Sequence, residues 1–289
     1  MKKILCILMV FSLLFCLTAC KSENTKSGIK VVASCFPAYD FAKSILGDDA
    51  NITLLLPPGS EAHDFEPTPT DIIKIQNCDL FVFVGGSDET WVNSLLQNGL
   101  KETAKTVKMV DFLEKSGDDE HFWTSPKNAL VVTQKIYEAL VLIDQKNKEN
   151  YLANFNTAKE NLNHLDSVFK GITENKKTVV FADRFPFHYL AKEYGIEYIS
   201  PFKGCSSHTE PDAKSVADTI FYVKENNIKY VFYTEFSNQK MADSVCEETG
   251  AQKLLFHSCH NVTKAEFTGG ETYYSLMLKN AENLKKAVG

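Results

Sequence analysis

From Asn147 to Ile172 the sequence holds one helical pattern, with no turn signal before Gly171. Tyr151, Phe155, Ala158, Leu162, Leu165 and Phe169 recur at three- and four-residue steps, and the opposite face is polar. About 25 residues of helix span about 40 Å. That is too long for a crossover within a small sheet, so the stretch reads as a stiff rod between two units. His164 lies on this rod and reads as a surface or packing residue.

Strand-like and helix-like runs alternate on both sides of the rod. Before it, strands are predicted at Ile29 to Ser34, Ile52 to Leu56, Leu80 to Gly85 and Val107 to Val110. Helices are predicted at Ala38 to Leu46, Thr70 to Gln76, Asp88 to Gln97 and Ser125 to Ile143. After it, strands fall at Thr178 to Ala182, Glu197 to Ser200, Tyr230 to Tyr233 and Lys253 to Phe256. The helices there are Phe187 to Tyr194, Asp212 to Glu225, Lys240 to Thr249 and Thr272 to Ala287. Such βα alternation implies mostly parallel sheets. The expected fold is α/β: two similar lobes, residues 29–145 and 175–289, joined by a long rigid helix over 146–174.

The first nineteen residues stand apart from this organisation. Lys2 and Lys3 precede an uncharged apolar run from Ile4 to Ala19, which reads as a secretory signal peptide. Leu17-Thr18-Ala19-Cys20 resembles a bacterial lipobox, which makes Cys20 the expected lipid-modified residue. Residues 20–28 are small and polar, as a flexible tether is. Of eight cysteines, Cys6 and Cys16 fall in the leader. Five remain beyond Cys20, with no CxxC among them. Cys205 and Cys259 both follow strand ends in the second half and form a candidate disulfide. The formal net charge is −6, and no basic stripe is present, so nucleic acid is not an expected partner.

Three histidines fall at or just after strand ends. His63 sits in a proline-bounded loop, Pro57 to Thr70, after the strand at Ile52 to Leu56. Thr68 can cap the helix that follows, with Pro69 at its first position and Asp71 complementing its dipole. His121 precedes the cap at Ser125, and His257 ends the last strand. In open α/β sheets ligands bind at the carboxyl ends of the strands. With two facing lobes, these positions converge on the cleft between them. Histidine is the commonest metal ligand, and three imidazoles plus an oxygen or water make a tetrahedral zinc shell.

The loop Pro57 to Asp71 also resembles a signature of the metal-binding lipoproteins of zinc/manganese ABC importers, a solute-binding class with a rigid helix between its lobes. On that resemblance His63 falls on the first histidine ligand. Glu120-His121-Phe122-Trp123-Thr124-Ser125-Pro126 is similar to the segment with the second ligand, a histidine two residues before a tryptophan. Phe232-Tyr233-Thr234-Glu235 resembles a strand ending in a glutamate, and Tyr274 to Leu284 the closing helix.

The second lobe departs from the family pattern. The third histidine is expected eleven residues before the glycine of a Tyr-Gly pair. Here the pair is Tyr194-Gly195, and Arg184 occupies the position. Arginine cannot ligate a metal. His188, four residues on, lies one helical turn away on the same face. The family's acidic fourth ligand matches His257, and Glu210, His208 and His260 are further candidates, with Cys259 as a thiolate alternative.

The resemblance implies capture of zinc outside the cytoplasm and delivery to the membrane permease of an ABC importer. It implies a monomer held on the extracellular face of the cell membrane by a lipid on Cys20. Release is expected from movement of the second-lobe loops. A histidine-rich donor set favours zinc over manganese, which prefers carboxylates. Manganese binding and a zinc-dependent hydrolase are the alternatives. For the hydrolase, Glu120 or Glu61 would serve as general base, but no H-E-x-x-H helix is present. A non-enzymatic protein is therefore expected.

Overall fold

The computed structural model describes residues 28–289, apart from 48–49, 98, 115–118, 175–176 and 203–209. Cys20, Cys205 and His208 lie outside the described residues. In the first lobe β1 (Lys30–Ala33), β2 (Asn51–Leu54), β3 (Leu80–Phe83) and β4 (Lys105–Lys108) form a parallel sheet in the order β2-β1-β3-β4. In the second, β5 (Val179–Val180) pairs with β6 (Tyr198–Ile199), and β7 (Tyr230–Tyr233) pairs with β8 (Gln252–Leu255), both in parallel. A parallel bridge between Phe181 and Phe232 joins the two pairs. Read through that bridge, the second lobe runs β6-β5-β7-β8, the same second-first-third-fourth order as the first. Each lobe thus has a topological switch point between its first and third strands, with a crevice at the carboxyl edge.

Side-chain alternation shows how the sheet is covered on both faces. All four residues of β3 are buried. Leu80 and Val82 join one apolar cluster while Phe81 and Phe83 join another, as a strand period of two demands. The first cluster contains residues of α1 (Phe36–Leu46) and α4 (Pro126–Ile143). The second lies under α2 (Pro69–Gln76) and α3 (Trp91–Gln97). The first cluster does not stop at the lobe boundary. It continues through Phe122 and Trp123 to Phe181, Phe232, Phe256 and Tyr273 of the second lobe.

The rod is α5 (Lys148–Thr173), 26 residues long. Its buried stripe is Tyr151, Phe155, Leu162, Leu165 and Phe169, the spacing of an amphipathic helix. It packs along α4 and against α1 and α10 (Tyr273–Val288), so both lobes hold it. Asn154 Nδ2 donates to the Ile45 carbonyl at 2.9 Å, and Tyr194 Oη donates to Asp166 at 3.1 Å. His164 bonds Tyr274 Oη at 2.9 Å. Together with the shared core, these contacts oppose a hinge between the lobes. No described helix is long and apolar enough to cross a membrane.

Local chemistry sets the element ends near the cleft. Thr68 and Asp71 form a reciprocal capping box at the start of α2, with Pro69 in the first turn. Ser125 caps α4 by accepting from the Asn128 N–H at 3.4 Å. The second lobe contains α6 (His188–Tyr194), α7 (Ala213–Glu225) and α8 (Lys240–Thr249). The helix expected over Asp88 to Gln97 instead opens as a 3-10 turn, Ser87–Glu89, before α3 begins at Trp91. The cause is that Glu89 folds back to accept the Gly85 N–H at 2.7 Å. A short helix not anticipated from periodicity, α9 (Lys264–Gly269), is started by a Thr263–Glu266 capping box.

Candidate metal centre

The chain brings three imidazoles together where the crevices of the two lobes meet. His63 arrives on the loop after β2, His121 on the segment after β4, and His260 on the loop after β8. One nitrogen of each lies within 4.8 Å of the others, and among the described residues this is the group that can hold a metal ion. His260 Nδ1 is 3.3 Å from His121 Nε2. Two nitrogens each about 2.0–2.1 Å from a tetrahedral zinc stand about 3.4 Å apart, so the spacing fits the ion.

The first-lobe histidines are oriented by carboxylates. His63 Nδ1 lies 2.6 Å from Asp88 Oδ2. His121 Nδ1 lies 2.7 Å from Asp119 Oδ1, and the His121 N–H donates to the same oxygen at 2.9 Å. In each case the carboxylate holds the proton on Nδ1 and leaves Nε2 to face the cluster, the carboxylate–histidine–metal arrangement. Burial alone would raise Asp119, but hydrogen bonds from His121 and His188 outweigh it and hold its carboxyl well below the usual range. Asp119 therefore stays anionic.

His260 is supported differently. Its ring packs 4.9 Å from Trp123 and 5.1 Å from His121, and the His260 backbone N–H donates to Ser258 Oγ at 3.2 Å. Burial, reinforced by the positive charge His121 and His63 can carry, holds its imidazole well below the ordinary range. His260 is thus a neutral nitrogen donor. Trp123 is fully buried, and its Nε1–H donates to the Ser258 carbonyl at 2.9 Å. Tyr273 Oη donates back to the Trp123 carbonyl at 2.5 Å. Asn261 Nδ2 reaches across to the carbonyls of Pro57 and Ser60, at 2.9 and 2.8 Å. The Gly59 N–H donates to the Val262 carbonyl at 2.8 Å. These bonds lace the His63 loop to the His260 loop.

His257, expected in the cleft, lies elsewhere. β8 ends at Leu255, and the chain then turns sharply, with Cys259 at φ 60°. The turn sends His260 toward the cleft and His257 into the core. There the His257 N–H donates to Asn280 Oδ1 at 2.7 Å, and Asn280 Nδ2 donates to the His257 carbonyl at 2.7 Å. Its Nδ1 accepts from the Cys259 N–H at 2.9 Å, and Glu235 and Glu266 flank the ring at 3.6 and 3.7 Å. Glu266 is held down to about 2, first by His257 and then by Thr263.

The other candidates separate clearly. His188 has Nδ1 at 3.2 Å from Asp119 and Nε2 at 3.0 Å from Tyr198 Oη, so both nitrogens serve the carboxylate network. Glu210 is exposed and stands outside the cluster. Cys259 is a free buried thiol in the structure, and Cys205, its expected disulfide partner, lies outside the described residues. Arg184 lines the cavity of about 50 Å³ beside the three histidines, together with Pro186, Thr234 and Glu235. Sequence reasoning missed Asp88 and Asp119 as partners of the histidines. The short spacing from Asp119 to His121 was the available signal.

The model of the family ZnuA, zinc-uptake complex component A, periplasmic, matches residues 31–287. The zinc-binding lipoprotein AdcA of Streptococcus pneumoniae is 32% identical over 99% of this chain. The chain spans 61% of that relative's length. The high-affinity zinc uptake system protein ZnuA of Bacillus subtilis is 32% identical, with 93% of each chain covered. Among solved structures, the Zn(II)-bound ZnuA-like domain of Streptococcus pneumoniae AdcA superposes with a TM-score of 0.78 at 32% identity. That match covers 90% of this chain and 98% of the other. The extent of these matches, with the three-histidine cleft between two like-ordered sheets, shows that the chain belongs to the ZnuA family.

Proposed function

We propose that this protein captures a single zinc ion through His63, His121 and His260 and hands it to the membrane permease of an ABC importer. The observation that carries the reading is the cluster itself: three nitrogens within 4.8 Å, two of them on rings oriented by carboxylates. Imidazole donors suit zinc, whereas manganese favours a set richer in oxygen. The names of the AdcA and ZnuA relatives, zinc-binding and zinc uptake, support the same cargo. Cys20 is proposed as the lipid-modified residue that holds the protein at the outer face of the membrane, beside its permease.

Metal-free protein titrated with zinc against a chromophoric chelator is expected to take up one ion tightly. His63→Ala is expected to weaken that binding sharply. Unchanged affinity in this variant would remove the proposal. Anchoring is tested separately by labelling cells with a fatty acid. Label should enter the wild-type protein and be lost in Cys20→Ala.

A further inference from the structure

Away from the histidines, a second cavity of about 580 Å³ opens where three elements meet. Its walls come from α1 of the first lobe, the rod α5 and the α9–α10 segment of the second lobe. Its volume falls within the roughly 300–1,000 Å³ of small-molecule sites, which combine an apolar lining with a few convergent polar groups. The lining here is aromatic. Tyr39 and Phe267 belong to opposite lobes, with ring centroids 5.5 Å apart and planes tilted by 48°. Asp40 on α1 accepts the Tyr273 N–H on Oδ2 at 2.9 Å, and its other oxygen has no hydrogen bond among the described residues. Lys43, three residues on, shares a helix face with Asp40. Among the described residues the Lys43 ammonium makes no hydrogen bond or ion pair, and the Asn161 amide on the rod makes no hydrogen bond. Glu271, the other carboxylate of the wall, is taken by Lys279 and by the Ser275 hydroxyl. Burial pushes the Asp40 carboxyl up to about 6, although the Tyr273 N–H and the Lys43 charge both pull it down. One carboxylate and one ammonium thus stand about one helical turn, or about 5 Å, apart along α1.

We propose that this cavity binds a zwitterionic dipeptide with apolar side chains. Its ammonium end meets Asp40 and its carboxylate end meets Lys43, so both charges of the wall are matched and none is left over. Two residues of extended chain reach about 7 Å at most, enough to bridge the pair. The side chains lie against the rings of Tyr39 and Phe267, and the Asn161 amide serves the peptide group. An occupant touches both lobes and the rod at once, and so adds to the contacts that oppose a hinge.

The test is calorimetric titration of the purified protein with L-leucyl-L-phenylalanine. One peptide should bind per chain, with a Kd below about 1 mM. The same peptide acetylated at its amine and amidated at its carboxyl should bind about tenfold more weakly, the effect of losing charge-assisted hydrogen bonds. Lys43→Met should weaken binding of the free peptide about tenfold and leave the capped peptide unchanged. Ala158→Phe, which puts a ring into the cavity from the rod, should abolish binding. The inference is overturned if the wild type binds no free dipeptide below about 1 mM. Equal affinity for free and capped peptide also overturns it, and so does wild-type affinity in Lys43→Met or Ala158→Phe. The comparison of free with capped peptide needs no variant, so it decides the matter even where a substitution unfolds the chain.

Discussion

The two lobes share a strand order but prepare their proposed ligands in different ways. The first lobe supplies His63 and His121, each gripped at Nδ1 by an aspartate at 2.6 and 2.7 Å. The second supplies His260, whose ring is set by packing against Trp123 and by a backbone turn at Cys259. Charge orients one side of the site and burial the other. The difference teaches that a symmetric scaffold need not carry symmetric chemistry. The carboxylates fix the orientation of the first-lobe rings, while burial holds the second-lobe imidazole below its ordinary range.

Removing a ligand is the strongest way to break the comparison. His121→Ala should weaken zinc binding by more than the roughly 10–100-fold that loss of a supporting partner costs. Chelator competition measures this directly. His260→Ala should produce a loss of the same order, and a loss under about tenfold would mean that the second lobe is only a lid.

Changing the supports tests whether charge orients only one side. Asp88→Asn and Asp119→Asn should each lower zinc affinity about 10–100-fold. Asp119→Asn should cost more, because that carboxylate also accepts the His188 N–H. Equal zinc affinity in the wild type and both variants would show that carboxylate orientation is irrelevant.

His257→Ala separates a core histidine from a ligand. It should leave one zinc bound with near wild-type affinity. It should destabilise the protein by about 1–3 kcal/mol, since Glu235, Glu266 and the Cys259 N–H lose a buried partner. Chemical denaturation of the metal-free protein reads this loss. A large fall in zinc affinity with unchanged stability would restore His257 to the site.

The smallest effect concerns Glu89, next to Asp88 in the first-lobe loop. Burial, with a contribution from Glu120, raises its carboxyl to about 7 despite hydrogen bonds from Ser34 and Gly85. A folded value above the unfolded 4.5 means full stability below the lower value, lost as pH rises through the upper one. Glu89→Gln should therefore raise the melting temperature relative to wild type at about pH 8, and should raise it less at about pH 5. Thermal melts at the two pH values check the sign.

Much of the fold was legible because it rests on local rules. The rod, the caps at Thr68 and Ser125 and the strand alternation are each written in a short window of residues. His63 and His121 were legible for the same reason, since each follows a strand and precedes a capped helix. The choice between His257 and His260 was not. It depends on a turn whose left-handed residue is Cys259, with no glycine to mark it. The buried side chain of Asn280, more than twenty residues later, then claims His257. The capping box of α9 was present as Thr263 and Glu266, but the helix it starts is too short for periodicity to reveal.

Asp119 accepts from His121, which is buried, and from His188, whose side chain is 47% exposed. One carboxylate thus connects an inner ring to an outer one across the lobe boundary. An ion drawing electron density from the inner ring changes the hydrogen bond that the outer ring feels. With zinc held as proposed, the imidazole resonance of His188 would report occupancy from the solvent side, at a position outside the three-histidine cluster.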